Sequence, residues 1–125
     1  EDASFMFNSN PNLEKIILPV MTSGSLTTMD NMFSYCNKLE YMDLTNINTK
    51  NVTRARMCFH RCLNLKAIDL TSFDMSKNTT FEYMFDTTPV LQNIYVSTNK
   101  WVVNPSANTN EMFDNSGVTE VNYVK

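Results

Sequence analysis

The sequence predicts an α/β fold: a right-handed solenoid with short parallel strands on one face, short helices on the other, and about four to five rungs. Three observations predict it. An aromatic–sulfur landmark recurs at Met6-Phe7, Met32-Phe33, Cys58-Phe59, Met84-Phe85 and Met112-Phe113, spaced by 26 residues for three steps and then by 28. An apolar pattern with the alternation of a strand follows each of the first four landmarks, and one with the period of a helix surrounds the middle ones. Self-similarity at such an interval marks one supersecondary unit stacked on copies of itself.

The strand comes from the series Leu13, Leu39, Leu65, Leu91, then Ile16, Met42, Ile68, Ile94, then Leu18, Leu44, Leu70, Val96. This is L-x-x-[I/M]-x-[L/V], the strand signature of a leucine-rich repeat, so the solenoid is leucine-rich-repeat-like. Its last two apolar positions share one side of a strand and the residue between them faces outward. Val118, Val121 and Tyr123 fill the same slots in a final partial unit after a one-residue deletion.

The helix comes from Met29, Met32, Phe33 and Cys36 at i, i+3, i+4 and i+7, matched by Ala55, Cys58, Phe59 and Cys62 and by Phe81, Met84, Phe85 and Thr88. Thr27, Thr53 and Thr79 stand where N-caps belong, and Thr79 with Glu82, like Asn108 with Glu111, has capping-box spacing. Helices this short need packing against neighbouring units. The competing reading of the same segments is an extended one, giving an all-β solenoid. The corners, 45–51, 71–78 and 97–107, are rich in Asn, Thr, Ser and Asp, whose side chains close turns and reduce the need for glycine. Met21, Ile47 and Phe73 share one corner register and are expected to plug the core. The third corner is longer and carries Trp101, and an insertion in one repeat usually maps to a loop on one face. Strands stack about 4.8 Å apart and helices pack about 8 to 10 Å apart, so the sheet side is expected to be concave.

The 125 residues form a single repeat-array domain, and the opening in mid-repeat resembles a fragment or the C-terminal part of a longer array. The formal net charge is -3 with basic residues scattered, which argues against a nucleic-acid surface. No apolar run has the length of a membrane span, so no direct membrane insertion is expected.

The series Met29-x-x-Met32-Phe33-x-x-Cys36-x-x-Leu39-x-x-Met42-Asp43-Leu44-Thr45, repeated from Cys58-Phe59 through Cys62, Leu65 and Ile68-Asp69-Leu70-Thr71-Ser72-Phe73-Asp74, resembles the 26-residue surface repeat of BspA-type leucine-rich repeat proteins. The resemblance covers about Ser4 to Lys125. It implies a secreted or cell-surface protein of a host-associated bacterium or of a protist, adhesion to host molecules, and no shared catalytic residues. Cys58 in place of Met, Asn78 in place of an apolar residue and Arg54 and Arg56 around Ala55 depart from the family pattern.

Cys36 and Cys62 occupy one slot of consecutive units, too far apart on neighbouring helices for a disulfide, and are expected as buried free thiols, as is Cys58. Three cysteines and the lone His60 lack the paired spacing of a zinc site, and no metal or other cofactor is expected. His60 is expected on a solvated helix face. Asp43 and Asp69 share the outward strand column with Ile17, Tyr95 and Asn122; the adjacent column holds Lys15, Tyr41, Ala67, Asn93 and Glu120. Two stacked carboxylates fall short of the oxygen ligands calcium needs and are read as a structural or ligand-facing ladder, hydrogen-bonded by Thr45 and Thr71. The sequons at Asn51 and Asn78 are read as chance overlap with an Asn/Thr-rich repeat.

These readings combine into a non-enzymatic extracellular or cell-surface recognition and adhesion module, without catalytic residues. Its concave face would offer Lys15, Tyr41, Asp43, Asp69, Asn93, Tyr95 and Trp101 to a host protein or glycan; for Trp101 the competing role is a plug at the end of the core. The alternative is a structural spacer or fibre-tip unit that oligomerises by end-on stacking, favoured if Phe5 and Val121 to Val124 expose apolar edges.

Overall fold

The computed structural model describes residues 1–21 and 23–125. Four short strands, β1 (Tyr41–Asp43), β2 (Ala67–Leu70), β3 (Asn93–Ser97) and β4 (Asn122–Val124), form one parallel sheet in the order β1-β2-β3-β4. They fall where the leucine-rich pattern puts strands. Tyr41 pairs with Ala67 and Ala67 with Asn93, each one repeat on, while Tyr95 pairs with Asn122 and Val96 with Tyr123 after the insertion and the deletion. In β2, Ile68 and Leu70 point into the core and Asp69 points out.

The expected helices do not exist: no described residue is helical, and the α/β reading is corrected to strands joined by runs of turns. Along the landmark segments alternate N–H groups turn back three residues, as in Met32 N–H to the Met29 carbonyl and Ser34 N–H to the Asn31 carbonyl, at 3.0 to 3.4 Å where the bond forms. The intervening N–H groups reach the next unit: those of Met29, Asn31, Phe33 and Tyr35 donate to the carbonyls of Arg54, Arg56, Cys58 and His60, all at 2.9 Å. An α-helix would spend all of these donors on its own carbonyls and leave none for its neighbour. The apolar spacing i, i+3, i+4, i+7 survives because these turns also return the chain to the same face every three to four residues.

Spacing decides between the two arrangements. Phe7, Phe33, Phe59, Phe85 and Phe113 form one column with ring centroids 5.3 to 5.8 Å apart and planes within 10° of parallel. That is the distance of neighbouring strands, about 4.8 Å with slight offset, and too short for packed helices at about 8 to 10 Å. The mismatch that was to make the sheet concave is therefore absent. The sheet and the turn runs enclose a single core in which Phe33, Phe59, Phe85, Leu39, Leu65 and Leu70 are completely buried. Ile47 and Phe73 are buried at the corner as expected, with Met21 partly buried and bridged to Ile47.

The threonines expected as caps act between units instead. Thr53 Oγ1 donates to the Thr27 carbonyl at 3.3 Å and Thr79 Oγ1 to the Thr53 carbonyl at 2.8 Å, each alongside the backbone N–H of the same residue. The two capping boxes are also absent: Glu82 accepts from Arg56 Nε at 2.7 Å, and Asn108 Oδ1 accepts the Asn110 N–H at 2.9 Å.

The turn runs require a left-handed residue at every fourth position, for instance Asn31 and Tyr35, Met57 and Arg61, Tyr83 and Thr87, with φ between 54° and 63°. Such a conformation costs a non-glycine residue on the order of 1 kcal/mol, and a β-branched one fits it worst. Thr87, at φ 56°, is the sharpest test. Thr87→Gly is expected to raise stability by about 0.5–1 kcal/mol in urea unfolding, because glycine accepts this φ freely. In a helix the same change would lower stability by about 1 kcal/mol.

Candidate ligand-facing surface

The outward strand positions line up in two rows. One contains Tyr41, Ala67 and Asn93; the other contains Asp43, Asp69, Tyr95 and Asn122. Tyr41, Asp43, Asp69 and Tyr95 are exposed, with Tyr41 at 62% and Tyr95 at 38%, and Asn93 is half-buried. The expected columns are thus present along the sheet as far as Asn93 and Asn122. Glu120 precedes β4 and lies outside the ladder.

Each aspartate is fixed by the residue two places on. Thr45 donates to Asp43 Oδ1 from its N–H (3.1 Å) and its hydroxyl (2.7 Å), and Thr71 does the same for Asp69 (2.9 and 2.7 Å). The Thr45 hydroxyl, and then its N–H, hold the Asp43 carboxyl below the usual carboxylate range. This lock closes the turn after the strand and leaves Oδ2 of both aspartates to solvent or a ligand. Asp74 with Ser76 and Asn104 with Ser106 repeat the motif at later corners.

The first unit lacks the lock. Where the second and third units have Asp-Leu-Thr, it has Ile17-Leu18-Pro19, and residues 14–18 form no strand with β1. A groove of about 730 Å³ opens between them, lined by Glu14, Lys15, Ile16, Lys38, Glu40, Tyr41, Met42, Asp43 and Asn64. Lys15, Tyr41 and Asp43 therefore come together in one open groove, whereas Asp69, Asn93 and Tyr95 lie further along the sheet. Glu14, Lys38, Glu40 and Asn64 were not anticipated. Glu40 accepts from Lys66 Nζ at 2.9 Å, which raises the Lys66 pKa and fixes one wall of the groove.

Trp101 does not belong to this surface. It is 3% exposed and tilted against Phe81 at 5.5 Å, so the long corner folds inward and fills the core, leaving Val102 and Val103 exposed. A large ring at the widened corner occupies space that a regular-length loop would not leave.

His60 also departs from expectation. It is buried, with Nδ1 2.8 Å from Asp86 Oδ2 and its ring edge-on to Tyr35 at 5.4 Å. Ser34 and Asp86, its equivalents in the adjoining units, are buried too. A turn run shelters this slot between neighbouring units, where a helix would have turned it to water. Cys36, Cys58 and Cys62 are buried free thiols, and Cys36 and Cys62 donate to the carbonyls of Phe7 and Phe33 at 3.2 Å. Burial pushes all three thiols up, away from the reactive thiolate. Among the described residues no three His, Cys, Asp or Glu side chains converge as a metal site. Asn78, in the second sequon, is buried, and Asn51, in the first, bonds Gly24 and Lys77.

Burial lowers the His60 pKa; Asp86 opposes this, while the charges of Arg61 and Arg56 add to it. An unfolded imidazole titrates near 6.5, so the unfolded chain binds the proton first as pH falls below that value. Stability from this group is complete above about pH 6.5 and declines as pH falls through the lower folded value. The chain has one histidine, so its ring resonance can be followed alone. Proton NMR titration is expected to give a midpoint below 6.5, together with a urea midpoint that falls as the pH drops below about 6.5. A midpoint above 6.5 would mean that the Asp86 contact outweighs burial.

Residues 1–124 match the family described as "Mycoplasma protein of unknown function, DUF285". No curated protein and no solved structure matches the chain. The match supports a surface-protein repeat family in the coarse sense and does not reach the BspA-type repeats. The chain belongs to the family described as Mycoplasma protein of unknown function, DUF285.

Proposed function

We propose that this chain is a non-catalytic recognition and adhesion module of an extracellular or cell-surface protein, and that its sheet face and the adjoining groove dock a protein or glycan of a host. Kinship with BspA-type surface repeats belongs to the same proposal. The observation that carries it is the exposure of Tyr41 in one row of the sheet and of Asp43, Asp69 and Tyr95 in register in the other, on a backbone fixed by its hydrogen-bond ladder. Half-exposed tyrosines bring large contact area with few rotatable bonds, and carboxylates with one free oxygen bring directional acceptors. A surface held this firmly loses little conformational entropy when a ligand binds. Lys15, Lys38, Glu14 and Glu40 supply both signs of charge at the groove, which suits a polar ligand.

The test is binding of the chain and of Tyr41→Ala, Asp69→Ala and Tyr95→Ala to arrays of host matrix proteins and glycans. At least one of these substitutions is expected to weaken the interaction by about tenfold or more, the scale of one interface anchor, while thermal unfolding stays cooperative. Full retention of every detected interaction by all three variants would refute the proposed face.

A further inference from the structure

The outward positions of β1, β2 and β3 make a small grid of two rows across three rungs. Tyr41 and Tyr95 stand at opposite corners, Asp43 and Asn93 at the other two, and Ala67 and Asp69 fill the middle rung. Segments of this chain flank the grid on both sides: the first unit stacks through Phe7 on Phe33, and β4 pairs with β3. Strand and residue spacings put the two tyrosine backbones about 12 Å apart along the sheet, a distance that roughly two or three linked pyranose rings cover. Between them the short side chain of Ala67 keeps the middle of the grid shallow.

The polar groups of the grid are acceptors in need of donors. Thr45 and Thr71 occupy Oδ1 of Asp43 and Asp69, and Oδ2 of each has no partner among the described residues. These carboxylates are registered neighbours, and like charges in register repel, so a hydroxyl donating between them stabilises both. Neither row carries a cation on β1 to β3, and Lys66, just before β2, is bound to Glu40. A polyanion would therefore meet fixed carboxylates without a counter-charge, a repulsive element that selects against it. The grid offers six side chains, whereas a stable protein interface takes about twenty or more on each side. A pyranose ring matches the grid better, because its C–H face packs on an aromatic ring while its hydroxyl edge donates to carboxylates.

We propose that this grid binds an uncharged, extended oligosaccharide lying across the strands, with one ring on Tyr41, another on Tyr95, and hydroxyls donated to Asp43 and Asp69. The inference rests on the docking face proposed above and narrows its ligand to a neutral glycan. Chain length then governs affinity. A single sugar reaches one tyrosine, and a longer oligomer makes its second stacking contact as an intramolecular step.

Calorimetric titration of the chain with chito-oligosaccharides and cello-oligosaccharides, from the monosaccharide to the hexasaccharide, tests this. Affinity is expected to rise by about tenfold or more up to the oligomer that reaches both rings, and then to level off. It is expected to hold between about 0.05 M and about 0.5 M sodium chloride, a range over which screening weakens ionic contacts. Tyr41→Ala, Tyr95→Ala and Ala67→Leu, which fills the shallow middle, are each expected to weaken binding of the hexasaccharide by about tenfold, and Tyr95→Phe, which keeps the ring, by less than about threefold. Where a variant fails to fold, the length and salt dependence of the wild-type chain still decide. No binding of either neutral series, tighter binding of heparin-derived oligosaccharides, or an affinity indifferent to chain length would overturn the glycan assignment. Capture of deglycosylated matrix protein through Tyr41 and Tyr95, with no oligosaccharide bound, would overturn it too while leaving the docking face intact.

Discussion

The fold depends on dividing the peptide groups of each turn run between two tasks. Alternate N–H groups close local turns, and the others cross to the next unit, so one stretch of chain is both compact and ladder-forming. The crossing bonds hold successive units at strand-like spacing on the side opposite the sheet, and the phenylalanine rings, 5.3 to 5.8 Å apart, record that spacing. The left-handed residues follow from the same division, since the chain must reverse its curl at fixed intervals to aim every second N–H outward. Their strain persists because the ladder on either side determines the backbone.

Much of the architecture was legible in the residues. The repeat interval, the strand positions, the outward rows and the corner role of Ile47 and Phe73 followed from which slots are always apolar. The turn runs were not legible, because Met29, Met32, Phe33 and Cys36 satisfy a helix and a three-to-four-residue turn cycle equally, and periodicity reports only which face a residue takes. Residues such as Asn31 and Asn115 at the left-handed slots were a usable hint, since asparagine tolerates that conformation; Tyr35, Met57 and Arg61 in equivalent slots hid it. His60 and the threonine column were misplaced for the same reason: their surroundings depend on how the neighbouring unit approaches, not on their own segment.

The candidate surface divides similarly. Tyr41, Asp43, Asp69 and Tyr95 were placed correctly because strand alternation fixes outward positions. For Trp101 the sequence left two roles open, a place on the surface and a plug of the core, because loop length alone does not say whether an insertion folds out or in; the structure has the plug, with the ring packed on Phe81. The groove beside β1 arises from an interruption of the pattern. Ile17-Leu18-Pro19 stands where Asp-Leu-Thr follows in the next two units, the first segment lies outside the sheet, and a regular face gains one irregular, charged recess.

The central claim is that the peptide groups around the landmark phenylalanines bond across units. Through-hydrogen-bond scalar coupling in an isotopically labelled sample reads the acceptor of each amide directly. The account predicts coupling from the Phe33 nitrogen to the Cys58 carbonyl carbon and from Phe59 to Met84. Coupling from Phe33 to Met29, the helical partner four residues back, would contradict it.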